Sequence, residues 1–98
     1  MLYLIQFRDN PDMRHLRPQL MEAHLGFLRA QGDKLRTAGS LRHESDDRAL
    51  GGMWIVDVNN FEEVTALYQA DPFWTAGLRA SVEICRYAKA FPDVEKTV

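Results

Sequence analysis

Four stretches of the chain carry apolar residues in the manner of strands, and two repeat them at helical spacing. Leu2, Tyr3, Leu4, Ile5 and Phe7 form the first run, closed by Asp9-Asn10-Pro11, which reads as a strand and then a turn into a helix. Tyr3, Ile5 and Phe7 fall on one face and Leu2 and Leu4 on the other, so the pattern predicts a sheet that hides both faces from bulk water. From about Met13 to Gln31, Leu16, Leu20, Ala23, Phe27 and Leu28 recur every three or four residues. That spacing predicts a long amphipathic helix, ended by Gly32. Leu35 to Leu41 reads as a second strand, in which Gly39 marks a bulge or a close backbone approach, and the polar run His43 to Arg48 as an exposed hairpin loop.

Gly51 to Val58 is the third strand, with Trp54, Val56 and Val58 on one face, Met53 and Ile55 on the other, and Gly51-Gly52 read as a turn. Asn59-Asn60 offers an N-cap for a short helix from Phe61 to Ala70, whose Glu62 and Glu63 sit where the helix dipole favours anions. Pro72 stops this helix, because a residue before proline is pushed out of the α region. Phe73 to Gly77 then makes one helical turn, Ser81 to Ala88 alternates as a fourth strand, and Phe91 to Val94 leads to a short polar tail.

Strand, long helix, strand, strand, short helix, strand is an α+β order. Right-handed crossovers fold it as a ferredoxin-like split βαβ (βαββαβ), with an antiparallel sheet and both helices on one face. The opposite face stays apolar through Leu2, Leu4, Met53 and Ile55, which predicts a homodimer burying it. At 98 residues the chain is expected to be one domain, residues 1–98.

Composition narrows the function. Lys and Arg number 12 against 14 Asp and Glu, a formal charge of -2, and the signs are interspersed, so no basic stripe recommends nucleic acid or an anionic membrane surface. No apolar run approaches the ~18 residues of a membrane helix. Cys85 is the single cysteine, which excludes an internal disulfide, and the first residues lack a basic n-region, so a cytoplasmic location is expected. There is no nucleotide fingerprint and no ligand spacing for a metal, so neither cofactor nor metal is expected.

Two polar residues fall where apolar ones are expected. His24 sits four after Leu20 and three before Phe27, on the apolar stripe of the long helix, with Arg17 two turns earlier on nearly the same line. Asp71 stands at the exit of the short helix, where it caps the next turn over Pro72. The short helix climbs roughly 15 Å before Asp71, and His24 lies roughly 10 Å from the far end of the long one, so antiparallel helices bring the two to similar heights. Together they would supply a general acid/base: an imidazole, and an anion to orient it. Arg17 would hold an anionic group, and Phe73, Trp74 and Trp54 would supply apolar walls. The other reading keeps His24 as a core-edge histidine bonded to a backbone carbonyl, Arg17 as a solvated charge and the aromatics as core. Ser40 has no base nearby in sequence and reads as an ordinary strand hydroxyl or a hydrogen-bond donor.

These residues resemble the YCII-related (YciI-like) family of small dimeric α+β barrel proteins. The resemblance rests on Arg17 followed by Ala23-His24-Leu25 and Phe27-Leu28, on Ala38-Gly39-Ser40-Leu41, and on Asp71-Pro72-Phe73 with Ala76-Gly77. It implies a ferredoxin-like dimer with a His24–Asp71 pair and Ser40 at the edge of its site, Ser40 standing where many relatives carry proline. The expected function is a small enzyme running elimination, isomerisation or hydrolysis on a small organic substrate. A noncatalytic binding or accessory module of the same fold is the competing expectation.

Overall fold

The computed structural model describes residues 1–94; the polar tail expected after Val94 lies outside the described residues. Strand β1 runs Leu2–Asp9, helix α1 Leu16–Ala30, strands β2 Leu35–Arg42 and β3 Ala49–Asp57, helices α2 Phe61–Gln69 and α3 Pro72–Thr75, and strand β4 Arg79–Arg86. The sheet order is β2-β3-β1-β4, and each neighbouring pair is antiparallel. Central strands β1 and β3 are therefore the first and third in sequence; edge strand β2 follows β1 across α1, edge strand β4 follows β3 across α2 and α3, and β2 and β3 are joined as a hairpin. This is the ferredoxin-like fold that the element order predicts.

Local chemistry sets the boundaries. The long helix begins at Leu16 and not near Met13, because the Asn10 side chain accepts from the Asp12 amide and caps a separate 3-10 turn over Pro11–Met13. Gly32, at φ +60°, ends α1 in the left-handed region that favours glycine. Asn60 caps α2 by accepting from the Glu63 amide at 2.9 Å.

Gly51-Gly52 is not a turn. Both residues lie inside β3, paired with Arg8 and Phe7 of β1. A Cβ on Gly51 would stand 1.8 Å from the Phe7 carbonyl oxygen, so only a residue without a side chain lets the two strands approach this closely.

Tyr3, Ile5 and Phe7 of β1 and Trp54 and Val56 of β3 form the centre of the core, roofed by Val64 and Tyr68 of α2 and by Phe27 and Leu28 of α1. Burying side chains of this size stabilises by roughly 1.5–3 kcal/mol each. Phe7 anchors the aromatic part, edge-on to Trp54 at 5.1 Å and to Tyr68 at 5.9 Å. On the opposite face Leu4 pairs with Ile55 and Gln6 with Met53. Ile55 is only 6 % exposed, whereas Leu2, Leu4 and Met53 are half-buried in the single chain.

Candidate active site

His24 is the one buried residue of α1, 7 % exposed, and α1 is held over α3 with its imidazole facing down. Asp71 ends α2 with extended backbone, φ -70° and ψ 132°, as Pro72 requires, and its side chain caps α3 by accepting from the Phe73 amide at 3.2 Å. The same oxygen, Oδ1, lies 2.8 Å from His24 Nδ1. The two residues that the helix heights allow to meet are thus directly hydrogen-bonded, 47 residues apart in sequence.

Geometry fixes the imidazole further. Its ring stacks on Phe73 with centroids 3.8 Å apart and planes 8° from parallel. The Asp71 carboxylate, 1 % exposed, accepts the Nδ1 proton, so the neutral ring carries its lone pair on Nε2. Nε2 has no hydrogen-bond partner among the described residues and is not sealed from solvent. It opens on a cleft of about 210 Å³ between α1 and the β2–β3 end of the sheet, lined by Arg17, His24, Ser40, Arg42, Trp54 and Arg79. Met21, Leu25 and Leu28 of α1 add an apolar wall. A second hollow of about 260 Å³, between Phe27, Lys34, Leu67 and Ala70, borders neither His24 nor any arginine.

Beside the imidazole lies an ionic cluster. Asp9 accepts from Arg17 Nε through Oδ2 at 2.8 Å and from Arg79 Nη1 through Oδ1 at 2.7 Å. Arg17 also donates to the Gly51 carbonyl at 2.9 Å. The Arg79 guanidinium lies between two aromatic faces, 4.6 Å from the Phe7 centroid and 5.1 Å from that of Phe73. Burial draws the Arg79 pKa below its ordinary value and Asp9 draws it back up. As an arginine it stays charged at neutral pH.

Of the residues that sequence analysis singles out, His24, Arg17, Ser40 and Trp54 line the cleft, and Asp71 stands behind His24. Phe73 is fully buried under the imidazole and is a floor beneath the ring, with no surface on the cleft. Trp74 packs edge-on against Tyr68 at 4.8 Å, on the core side, and forms no part of the cleft wall. Ser40 Oγ accepts from Arg42 Nε at 2.8 Å. Asp9, Arg42 and Arg79 do not stand out in the sequence: Asp9 reads as turn, Arg42 follows the apolar run of its strand, and Arg79 precedes the alternation of its strand. Opposite charges closing two apolar strands were the available signal. Their meeting depends on the irregularity after Arg8, which places Asp9 opposite Arg79.

The fold and this cleft define a small ferredoxin-like α+β protein with a histidine–aspartate pair between its helices and its sheet. The chain belongs to the YCII-related domain family, whose model matches residues 1–88. Among solved structures it is similar to the 5-chloro-2-hydroxyhydroquinone dehydrochlorinase TftG from Burkholderia phenoliruptrix AC1100 in complex with 2,5-dihydroxybenzoquinone. That match has 29% identity and a TM-score of 0.81, and covers 90% of this chain and 94% of that one. SnoaB, a cofactor-independent oxygenase from Streptomyces nogalater, matches at 10% identity and a TM-score of 0.53 over 93% and 95% of the two chains. Rv0793 from Mycobacterium tuberculosis matches at 15% identity and a TM-score of 0.54 over 90% and 94%. The last two share the fold alone. No curated protein sequence matches the chain.

Proposed function

We propose that the protein is an enzyme in which neutral His24, held by Asp71, acts as general base and then general acid on a small organic substrate in the cleft. The observation that carries this reading is the geometry of the ring: Nδ1 bound to a buried carboxylate and Nε2 open to a cavity. Nε2 takes a proton from a substrate C–H or O–H, the electron pair left behind forms a new double bond, and the leaving group departs with its own bonding pair. The imidazolium so formed faces Asp71, which stabilises it without taking the proton, and Nε2 then gives the proton to the departing group or to solvent, which restores the neutral ring. Trp54 and the α1 wall exclude water and favour a ring-shaped substrate, with Arg17 and Ser40 at its polar edge.

The similarity to a dehydrochlorinase makes elimination of a halide or like group from a hydroxylated ring the first reaction to test; isomerisation and hydrolysis use the same base. Chloride release from 5-chloro-2-hydroxyhydroquinone, followed with a panel of hydroxylated rings, is the assay. Substrate binding without turnover across that panel would favour the noncatalytic module. Asp71→Asn checks the role of the carboxylate. Asparagine still caps α3, so stability is expected to stay within about 1 kcal/mol, but its amide nitrogen turns to Nδ1 and forces the proton onto Nε2. Turnover is expected to fall by about 10²-fold or more, with the tautomer change visible in the ¹⁵N shifts of the ring. Full activity in this variant would reduce Asp71 to a capping residue.

We also propose a homodimer that closes the half-covered face of Leu2, Leu4 and Met53. Sedimentation at micromolar concentration is expected to give twice the chain mass; a monomer there would leave that face to solvent and end the barrel reading. No helix among the described residues is long and apolar enough to cross a membrane. Cys85 is a free, exposed thiol, which suits the reducing cytoplasm.

A further inference from the structure

We infer that the polar end of the His24 cleft is a binding site for an oxyanion of the substrate, a carboxylate or an ionised ring hydroxyl, with Arg79 as its principal anchor. The inference rests on the proposed site and adds to it the charge of what binds there. Three guanidiniums, from Arg17, Arg42 and Arg79, line the cleft, and no carboxylate does. The exposed Asp47 pairs with Arg42 at 3.6 Å without lining the cleft, and Asp9 and Asp71 stand behind Arg17, Arg79 and the imidazole, with side chains 5 % and 1 % exposed. They make the buried cations tolerable, but the surface they leave facing the cleft is wholly positive or neutral.

Arg79 itself is incompletely satisfied. Its side chain is 2 % exposed, and its five N–H donors meet one carboxylate oxygen among the described residues, Asp9 Oδ1, through Nη1. Nε is buried with no partner among the described residues. Nη2 has none either and is not sealed, so it is the edge left open to the cleft. An arginine that deep in a protein ordinarily fills its donors. Gly52 keeps the space beside it: a Cβ there would come within 3.0 Å of Arg79 Nη2. Arg17 likewise commits Nε and Nη2 and leaves Nη1 without a partner among the described residues. An anionic oxygen entering from the cleft would meet guanidinium edges with His24 on the same wall, and would offset the positive charge that His24 acquires on taking a proton.

The test is titration calorimetry of the full chain at neutral pH and low salt with two pairs of near-isosteric probes. Benzoate against benzamide reads a carboxylate site, and dinitrophenolate against dinitroaniline reads a ring-oxyanion site. In at least one pair the anion is expected to bind about tenfold tighter or more than its neutral partner. Arg79→Gln and Gly52→Ala, each checked for folding by circular dichroism, are expected to bring that ratio to within about twofold while leaving neutral binding unchanged. Equal binding within both pairs, absent binding included, overturns the inference, as does a ratio that survives in a folded variant of both positions. The His24→Gln protein separates this result from the proposed reaction. It should keep the anion preference whether or not turnover depends on His24, so either claim can fail alone.

Discussion

Replacing His24 by glutamine is expected to lower turnover by about 10²–10⁴-fold while the chain stays folded and still binds ligands in the cleft. A polar ring on an apolar helical line invites replacement by alanine, the best helix former. The structure argues against alanine. The ring stacks face to face on Phe73 and gives the buried Asp71 carboxylate one of its two hydrogen bonds, so truncation leaves both a gap and a partly satisfied acid. That would cost on the order of 1–3 kcal/mol and confuse instability with lost chemistry. Glutamine keeps a donor for Asp71 and has no basic nitrogen. Steady-state kinetics beside thermal unfolding then read the two effects separately. Turnover close to that of the parent protein would remove the general base, and with it the enzymatic reading. Activity falling only in step with folded fraction would make His24 a structural residue.

The second large effect is expected at Asp9. Asp9→Ala should cost about 3–5 kcal/mol of stability, because it strips the carboxylate from Arg79 and Arg17 and leaves two largely buried guanidiniums without it. For a domain of this size that is about 15–25 °C in melting temperature. The loss comes from stranded charge and is largely reversible: Asp9→Ala combined with Arg79→Met should recover much of it, since methionine fills the slot between Phe7 and Phe73 without a charge to satisfy. Chemical denaturation of the single and double variants completes the cycle. A loss below about 1 kcal/mol in the single variant would mean that water reaches these groups and that the cluster behaves as a surface ion pair.

Both variants touch groups far apart in sequence, 47 residues for His24 and Asp71 and 70 for Asp9 and Arg79, and this separates what could be read early from what could not. The sequence by itself determined the elements and the sheet order. Apolar period, the Asn60 cap and the Asp71-Pro72 stop act within a few residues, so they are legible wherever they occur, and right-handed crossovers leave few ways to assemble them. It also pointed to His24 and Asp71, because a polar residue on an apolar stripe and a carboxylate at a helix exit break local rules. The tertiary structure alone decided what surrounds them. Phe73 and Trp74 are neighbours in the chain, yet one lies beneath the imidazole and the other against Tyr68, since adjacent side chains on a helical turn point about 100° apart. Gly51-Gly52 reads as a turn locally, but it serves a close approach of β1 to β3 that no local pattern announces. Asp9 and Arg79 meet only because a shift in register after Arg8 sets them opposite each other. Strand register follows from the packing of whole faces, not from the residues that register brings together, and so the charged end of the cleft becomes visible only once the sheet is assembled.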